Sequence, residues 1–470
     1  MPRVTIETLN TGVPGLDTLL DGGISRYSFN VITGAPGSGK TTLAHQVMCN
    51  LASADHKALY FTIVGEPPLK MLRYQQQYSY FDNEKVGSSI KYLNLADDLH
   101  SGGFEGVLDR ILREVEQFQP ELVFVDSFKS VVHAAAGGNE GLADLQYFIQ
   151  RLGMHMASWQ ATTFLIGEYT HAEEEGNPIF TVADGVIHLS QEVDGNAIVR
   201  KIRIVKMRGA PHMLGNHIFR ISRDGVRVFP RLLTGGIFDT SPADVDASQL
   251  GRLKTGSPEL DDMLGGGIPA GYSILLIGPP GAGKTVFATG FLAEGLKAGE
   301  PGVMASFEHI LSAATIKAID NLAATGKISI VRPARLDLSI EEAIMEILDE
   351  VRRVGAKRVV IDSLSAFELA LASQFRQNFE ESLFRMLTAF SKIGVTVLLT
   401  RPTEAQPANF VYRPSASYLV DGVISMRCVE MANKRVKLIS SDKLRDSWHS
   451  ADIRPYTVHE QGIVVSKNAL

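Results

Sequence analysis

Residues 34–42 read GAPGSGKTT, and this stretch decides the fold of the 470-residue chain. It follows a short β-branched run, residues 29–33, and opens a segment of helical character that extends from about residue 39 to 51. A glycine-rich turn between a strand and a helix is the context that a phosphate-binding loop requires. Backbone amides and the positive end of the helix bind phosphate oxygens there, the lysine reaches the β- and γ-phosphates, and the next hydroxyl ligates magnesium. The predicted nucleotide site consists of Gly34, Ala35, Pro36, Gly37, Ser38, Gly39, Lys40, Thr41 and Thr42.

The same loop occurs a second time, 244 residues later, where residues 278–286 read GPPGAGKTV. The same offset carries residues 11–24 (TGVPGLDTLLDGGI) onto residues 255–268 (TGSPELDDMLGGGI), with nine of fourteen positions identical. A repeat of this length indicates a duplicated domain rather than a solenoid unit, because each copy is long enough to hold its own core. The second predicted nucleotide site consists of Gly278, Pro279, Pro280, Gly281, Ala282, Gly283, Lys284, Thr285 and Val286.

Each copy alternates short apolar runs with longer amphipathic segments, a pattern that predicts βαβ units in an α/β domain. Such units form a mostly parallel central sheet with helices on both faces. Late in the first copy the pattern becomes hairpin-like, which predicts antiparallel additions to the sheet at residues 186–189, 198–207, 217–221 and 226–229. A stretch rich in Gly, Ser, Asp and Pro separates the copies. We therefore predict a first domain at residues 1–236, a linker at 237–250 and a second domain at 251–470.

The composition excludes several classes of protein. Lys and Arg number 46 against 52 Asp and Glu, so the net charge of −6 has the wrong sign for a generally basic nucleic-acid coat. The two cysteines, Cys49 and Cys428, argue against a disulfide framework or a thiolate zinc site, and the twelve histidines lack metal-binding spacing. The start lacks a signal-peptide pattern and the apolar runs are too short to span a membrane. We expect a cytoplasmic protein without a membrane partner whose cofactor is a nucleotide with Mg²⁺.

An apolar strand that ends in aspartate occurs in both copies, at residues 122–126 (LVFVD) and 358–362 (RVVID). Such an aspartate can lie beside the phosphate loop and hold the magnesium shell. The predicted metal residues are therefore Thr41 and Asp126 in the first copy and Thr285 and Asp362 in the second. The alternative for each aspartate is an ordinary turn residue.

Hydrolysis or phosphoryl transfer also needs a carboxylate that orients or deprotonates the attacking oxygen. Glu66 and Glu308 are the predicted catalytic carboxylates, because each closes the strand that follows its phosphate loop. They come 26 and 24 residues after Lys40 and Lys284, so the two sites are similar but not equivalent. The alternative is a glutamate stabilised at a helix N-terminus by the helix dipole.

Two cations alternate near the end of each copy, Lys206 with Arg208 and Lys443 with Arg445. Spacing of two along an extended strand puts both side chains on one face, where they could reach a neighbouring subunit's phosphates as an arginine finger does. A solvated strand face is the alternative, but repetition in register favours the catalytic interpretation.

A group of aromatic residues in the first copy could stack on bases. Its helical spacing favours packing or an interface instead. The group consists of Tyr74, Tyr78, Tyr80 and Phe81.

Taken together, the leader TGxxxLDxxLxGG before each loop, the paired loops, the aspartate-serine strand ends and the KMRGxxH segment at residue 206 resemble the KaiC/RadA-like branch of the RecA superfamily. The resemblance covers nearly the whole chain. It implies two tandem RecA-like P-loop ATPase domains that assemble as a double-ring homo-hexamer, with ATP held between subunits and the Lys-x-Arg pair acting across the interface. It further implies a first ring that hydrolyses ATP slowly and a second ring that phosphorylates itself on adjacent Ser and Thr.

The chain departs from that family at three points. One glutamate replaces the consecutive pair at each catalytic strand end, and in the segment that matches the phosphorylated pair Ser417 is retained but Tyr418 replaces threonine. We therefore expect ATP hydrolysis to dominate and any Ser/Thr autokinase activity to be slow and confined to Ser417. The chain stops at Leu470, so we expect a small KaiB-like or signalling partner rather than a KaiA-like activator.

Two alternatives remain open for the function. A RadA-like DNA-dependent ATPase in recombination or repair is disfavoured by the acidic charge balance, although short loops could still contact DNA. A nucleotide-stabilised scaffold without useful turnover is compatible with the lost glutamates. The favoured function is a KaiC-like hexameric ATPase in signalling or circadian or stress-type regulation.

Overall fold

The computed structural model of the protein describes residues 6–63, 68–127, 139–169, 177–194, 197–231, 251–307, 313–332, 338–376, 379–403, 415–431, 434–459 and 462–469. The chain divides into two compact units, Met1–Arg231 and Leu232–Leu470. The predicted linker at residues 237–250 lies outside the described residues, so its bounds stay a prediction. Within the described part of the chain, no helix combines the length and apolar character that crossing a membrane requires.

The first unit is built around a sheet of nine strands in its described residues, in the order β11-β10-β9-β8-β3-β7-β6-β4-β5. Its strands are β1 Thr8–Leu9, β2 Ile24–Ser25, β3 Phe29–Gly34, β4 Ala58–Thr62, β5 Ile90–Asn94, β6 Leu122–Asp126, β7 Thr162–Gly167, β8 Gly185–Asp194, β9 Ala197–Met207, β10 His217–Ser222 and β11 Gly225–Phe229. Its helices are α1 Leu16–Leu19, α2 Lys40–Leu51, α3 Pro68–Gln75, α4 Ala96–Phe118, α5 Asn139–Ser158 and α6 Pro178–Val182.

The second unit repeats this sheet over its described residues, in the order β16-β15-β17-β18-β14-β19-β20-β21-β22. Its strands are β12 Arg252–Leu253, β13 Ile268–Pro269, β14 Ser273–Gly278, β15 Gly302–Ser306, β16 Ile328–Val331, β17 Arg358–Asp362, β18 Thr396–Pro402, β19 Gly422–Met431, β20 Lys434–Leu444, β21 Arg454–His459 and β22 Gly462–Val465. Its helices are α7 Pro258–Met263, α8 Lys284–Lys297, α9 Ala313–Ala323, α10 Ile340–Val354, α11 Leu364–Ala370, α12 Ser373–Arg376 and α13 Phe379–Lys392.

Strand β4 illustrates why these sheets are covered on both faces. All five of its residues are buried, and successive side chains point to opposite faces of a strand. Ala58 and Tyr60 pack in the core beneath α2, whereas Leu59 and Phe61 pack in a separate core with α4 and α5. A strand that is buried on both faces reads as a continuous apolar run, which explains the apolar runs in the sequence.

Parallel pairing brings the carboxyl ends of six described strands to one edge of each sheet. In the first unit β3 pairs in parallel with β7 and β8, and β6 pairs in parallel with β4 and β7. Both phosphate loops and both strand-end aspartates therefore lie at this edge, where open α/β sheets bind ligands. The α/β prediction of two tandem RecA-like domains with mostly parallel sheets is confirmed.

Two local expectations differ from the structure. The strand predicted at residues 186–189 is β8, and it pairs in parallel with β3, so the antiparallel additions begin only at β9. Helix α3 ends at Gln75, so the helical spacing assigned to the aromatic group was wrong beyond Tyr74.

Candidate functional site

The first phosphate loop runs from the end of β3 to the first residue of α2. Gly39 has a φ of +103°, and a Cβ at this position would lie 2.7 Å from Cδ1 of Ile221 on β10. The loop is thus a tight cradle that only glycine fits, which suits a backbone that must approach a ligand closely. Lys40 is buried beside it, with Nζ 2.9 Å from the carbonyl oxygen of Ala35 and 4.0 Å from a carboxylate oxygen of Glu168.

The second loop has the same construction. Gly283 has a φ of +105°, and a Cβ there would lie 2.8 Å from Cγ2 of Val458 on β21. Lys284 Nζ donates to the carbonyl oxygens of Gly278 and Pro279, at 2.8 and 3.1 Å. In both loops the lysine therefore folds back over its own glycine-rich turn, within reach of whatever the turn binds.

The strand-end carboxylate of the first unit contacts the loop directly. Asp126 Oδ2 accepts hydrogen bonds from Thr41 Oγ1 and from the Tyr60 hydroxyl, each at 2.8 Å. Burial raises the pKa of Asp126, while these two hydrogen bonds and the charge of Lys40 act in the opposite direction. The predicted pairing of Thr41 with Asp126 is thus present as a contact.

The strand-end carboxylate of the second unit is more deeply buried, and one of its oxygens is open. Asp362 is 2% exposed, and its Oδ1 accepts a hydrogen bond from Thr400 Oγ1. Its Oδ2 has no hydrogen-bond partner among the described residues. A buried carboxylate oxygen costs free energy unless something pairs with it, and an oxygen ligand next to a phosphate loop is what Mg²⁺ prefers. Asp362 therefore fits a magnesium ion, and the predicted hydroxyl ligand, Thr285, lies in the first turn of α8.

In the described part of the chain, no group of three or more His, Cys, Asp or Glu side chains is arranged to hold a metal ion. A magnesium site here thus rests on one aspartate and one hydroxyl in each unit. Such a site is typical of a metal that is shared with substrate phosphates rather than enclosed by protein.

A cleft of about 460 Å³ opens over the first loop. Glu168 and Arg200 line it and were missed by the sequence analysis, whereas Tyr78, which also lines it, belongs to the aromatic group for which packing or an interface was favoured over stacking. Tyr78 stacks on Tyr80 at a centroid distance of 5.2 Å and an interplanar angle of 9°. The remaining lining residues are Gly37, Gly39, Lys40, Thr41, Thr42, Asp126, Ser127 and Ile221.

Part of this cleft could have been found in the sequence. Glu168 directly follows the apolar strand β7, whose carboxyl end reaches the same edge of the sheet as the loop. Arg200 carries no such signal, since it reaches the cleft from β9, and Tyr78 reaches the cleft from a turn after α3 rather than from a helix. The predicted catalytic residues Glu66 and Glu308 lie outside the described residues.

The described contacts of the Lys-x-Arg pairs are with groups other than the phosphate loop of their own unit. Lys206 Nζ donates to the carbonyl oxygens of Phe180 and Thr181, each at 3.1 Å, and Arg208 pairs with Asp184 at 2.9 Å. Burial, followed by the charge of Arg208, lowers the pKa of Lys206. The two cations are therefore close enough to interact, but Arg208 lies in the turn after β9 rather than on the extended strand that their spacing predicted.

The second unit repeats this arrangement. Lys443 Nζ donates to the carbonyl oxygens of Ser417 and Val420, and Arg445 lies 3.5 Å from Asp421. Burial, followed by the charge of Arg445, lowers the pKa of Lys443.

A β-bulge precedes the lysine in both units. In the first, Val186 pairs with Lys206 and Ile187 with Ile204, so Val205 is an extra residue on β9. In the second, Val423 pairs with Lys443 and Ile424 with Ser441. A bulge bends the strand and increases its local twist, so the direction of these cations is set in the same way twice.

The segment predicted to carry phosphorylation forms a short 3₁₀ helix, Ser415–Tyr418. Ser417 is half-buried, and its carbonyl oxygen accepts from Lys443. Tyr418 is 60% exposed and its hydroxyl donates to Glu380 at 2.9 Å. The tyrosine is therefore held on the surface by a helix of its own unit.

Comparison with known proteins agrees with this geometry. The family model of the KaiC ATPase matches residues 9–232 and 253–469. The circadian clock oscillator protein KaiC of Rippkaea orientalis is 26% identical over 475 residues, which cover 97% of this chain and 88% of that protein. The circadian clock protein KaiC3 of Synechocystis sp. is 27% identical over 482 residues, which cover 98% and 92%. Because the family model matches both units over nearly their whole length, the chain belongs to the KaiC family of ATPases.

Proposed function

We propose that the protein binds ATP with Mg²⁺ at both phosphate loops and hydrolyses it. One observation carries the proposal. In the first unit the hydroxyl of Thr41 lies 2.8 Å from the carboxylate of Asp126, and the buried Lys40 shares the same cleft. A loop, a cation, a hydroxyl and a carboxylate in one cleft are the parts that phosphoryl transfer to water needs for positioning and charge stabilisation.

The chain's own residues have distinct roles in this proposal. The backbone amides at Gly37 and Gly39 bind phosphate oxygens, and Lys40 places a positive charge against the terminal phosphates. Thr41 and Asp126 hold the metal, and the equivalent residues of the second unit are Thr285 and Asp362. When bound, Mg²⁺ supplies positive charge against the phosphate oxygens.

Glu66 and Glu308 are proposed to orient the attacking oxygen and accept its proton. The edge of the sheet supports this role, since each glutamate closely follows a strand whose carboxyl end lies there, β4 or β15. A general base of this kind contributes on the order of 10²–10⁴-fold to the rate.

The Lys-x-Arg pairs are proposed to act on the nucleotide of a neighbouring copy in a homo-hexamer. Lys206, Arg208, Lys443 and Arg445 contact carbonyl and carboxylate groups of their own chain, and the lining of the cleft over the first loop includes neither Lys206 nor Arg208. Each cleft is then completed only on assembly.

We further propose a cytoplasmic protein that acts in signalling or circadian or stress-type regulation with a small KaiB-like or signalling partner. Autophosphorylation, where it occurs, is slow and falls on Ser417. Its neighbour Tyr418 carries a longer side chain than threonine, and a misplacement of about 1 Å can cost on the order of 10²-fold in transfer.

The test is incubation of the full chain with labelled ATP and Mg²⁺, with and without single-stranded DNA, following released phosphate and label on the protein. We expect phosphate release that DNA does not stimulate, and loss of release in a chain with both Lys40→Ala and Lys284→Ala. Strong stimulation by DNA would favour the RadA-like alternative, and no release from the parent chain would leave a nucleotide-binding scaffold.

Two further measurements separate the parts of the proposal. Glu66→Gln in a Glu308→Gln chain should abolish most hydrolysis and keep nucleotide binding, because an amide has the shape of a carboxylate but accepts no proton. Mass measurement in millimolar ATP and Mg²⁺ should give a hexamer. A monomer under those conditions removes the basis for the proposed role of the Lys-x-Arg pairs.

A further inference from the structure

Each strand-end carboxylate is held by a hydroxyl from a neighbouring strand, and the two units use opposite neighbours. In the first unit Tyr60 on β4 donates to Asp126, whereas in the second Thr400 on β18 donates to Asp362. Tyr60 and Thr400 are both fully buried, so neither hydroxyl is left to water. Neither side chain belongs to a phosphate loop, and the family match assigns neither of them a role.

Strand register shows that the donors have changed sides. Tyr60 pairs with Phe124, two residues before Asp126, and the equivalent position on β15 is Met304. Methionine has no hydrogen to donate.

The other neighbouring strand shows the converse. Ile166 on β7 pairs with Asp126, and Thr400 on β18 is the equivalent residue, because Leu399 pairs with Ile361. Isoleucine likewise has no donor. Each unit thus has a hydroxyl donor on one neighbouring strand and an apolar residue on the other, and the two strands exchange these roles between the units.

The donors engage different carboxylate oxygens in the two units. Asp126 Oδ2 accepts both Thr41 and Tyr60, so the two donors fix one oxygen towards the loop. In the second unit Thr400 takes Oδ1 of Asp362, which leaves the partnerless Oδ2 available. A donor behind a metal-binding carboxylate fixes its rotation, and removing such a donor typically lowers metal affinity about 10–100-fold.

We propose that Tyr60 and Thr400 are positioning residues that orient the metal-binding carboxylates, one in each unit. This inference rests on the proposed nucleotide and magnesium sites. In each site a different strand supplies the hydroxyl that orients the carboxylate. Substitution of Tyr60 on β4 should therefore affect metal binding only at the first site, and substitution of Thr400 on β18 only at the second.

The first site is tested in the full chain carrying Lys284→Ala, which silences the second loop. Mn²⁺ is titrated with a slowly hydrolysed ATP analogue present and followed by electron paramagnetic resonance, while binding of the analogue is also measured in EDTA. Tyr60→Phe should raise the Mn²⁺ dissociation constant about tenfold and leave metal-free binding unchanged. Adding Ile166→Thr to Tyr60→Phe should restore Mn²⁺ affinity, because it supplies a hydroxyl where the second unit has Thr400.

Tyr92→Phe is the matched control for this experiment. Its ring lies 5.5 Å from that of Tyr60 in the same aromatic cluster, and its buried hydroxyl has no partner among the described residues. We expect it to leave Mn²⁺ affinity unchanged. Equal effects of Tyr60→Phe and Tyr92→Phe would overturn the proposal, as would a loss of metal-free binding as large as the loss of Mn²⁺ affinity.

The second site provides an independent test in the Lys40→Ala chain. Thr400→Val should raise the Mn²⁺ dissociation constant about tenfold, whereas Thr400→Ser, which keeps the hydroxyl, should stay near the parent. Equal behaviour of valine and serine would overturn the assignment of Thr400. Failure of the proposed function looks different, because the parent chain would then not bind the analogue even with Mn²⁺, and both assignments would fall with it.

Discussion

His217 makes the stability of the first unit depend on pH. The side chain is fully buried at the start of β10, and its Nδ1 accepts a hydrogen bond from the backbone N–H of Arg231 at 2.9 Å. Burial lowers the pKa of His217 from 6.5 to about 4, with a smaller contribution from the charge of Arg231 and partial opposition from the carbonyls of Met213 and Leu214. The folded state therefore resists a proton that the unfolded chain takes up readily.

The sign and size of the effect follow from linkage. Since the pKa is lower in the folded state, stability is fully present above pH 6.5 and decreases as the pH falls towards 4. A difference of one pKa unit corresponds to about 1.4 kcal/mol, so the total is about 3 kcal/mol, of which about 2 kcal/mol is lost between pH 7 and pH 5.

The chain offers a convenient assay, because its two tryptophans, Trp159 and Trp448, lie in different units. Urea unfolding of a Trp448→Phe chain, followed by fluorescence, reports on the first unit alone. His217→Asn keeps an acceptor near the Nδ1 position and cannot be protonated in this range. We expect it to cost stability at pH 7 through lost packing, yet to lose about 2 kcal/mol less than the parent between pH 7 and pH 5.

Comparing the two pH values within each chain cancels the contributions of other titrating groups. If His217→Asn and the parent lose the same free energy of unfolding between pH 7 and pH 5, then His217 is not the buried neutral group described here and the reasoning fails.

Three other changes have defined outcomes. Gly39→Ala and Gly283→Ala should each weaken nucleotide binding at their own site roughly tenfold in calorimetric titrations. Both positions have a left-handed backbone, which costs an L-residue with a Cβ about 1–2 kcal/mol. Unchanged affinity would show that the loop tolerates a side chain. Arg358→Met should destabilise the second unit by about 3 kcal/mol or more, because it leaves the carboxylate of Glu300 and the buried carbonyl of Phe291 without their donor. The exposed Arg353→Met should cost much less, and Trp448 fluorescence in urea compares the two variants. Phosphopeptide mapping after long incubation with ATP should find modification at Ser417, and efficient modification elsewhere would contradict that assignment.

The loops and the strand-end aspartates could be predicted because their signals are local. Gly39 and Lys40 belong to one short motif between a strand and a helix, and Asp126 directly follows an apolar run of four residues. Tyr60 and Thr400 could not be found in this way, because their role depends on which strands lie beside β6 and β17 in the sheet.

The aromatic group shows the opposite case, in which a local helical spacing predicts a helix that the structure does not contain. Tyr74, Tyr78 and Phe81 are spaced as on one face of a helix, but α3 ends at Gln75. Tyr78 instead reaches the cleft from a turn, in which Tyr80 donates to the side chain of Gln75. Spacing alone gives no information about where a helix ends, and that end decides which side chains meet.

The bulge on β9 changes the direction in which a side chain leaves the strand without changing the face of the sheet on which that side chain lies. Ile202, Ile204 and Met207 point into one core although the spacing of the last two is odd, because Val205 is accommodated outside the ladder. A chain without Val205 would keep every remaining pair of the ladder and every buried side chain on its face. It would lose only the bend, and with it the angle at which Lys206 leaves the sheet. Removal of this one residue thus changes the direction of Lys206 without replacing any contacting side chain, so the geometry of the proposed subunit boundary could be adjusted independently of its chemistry.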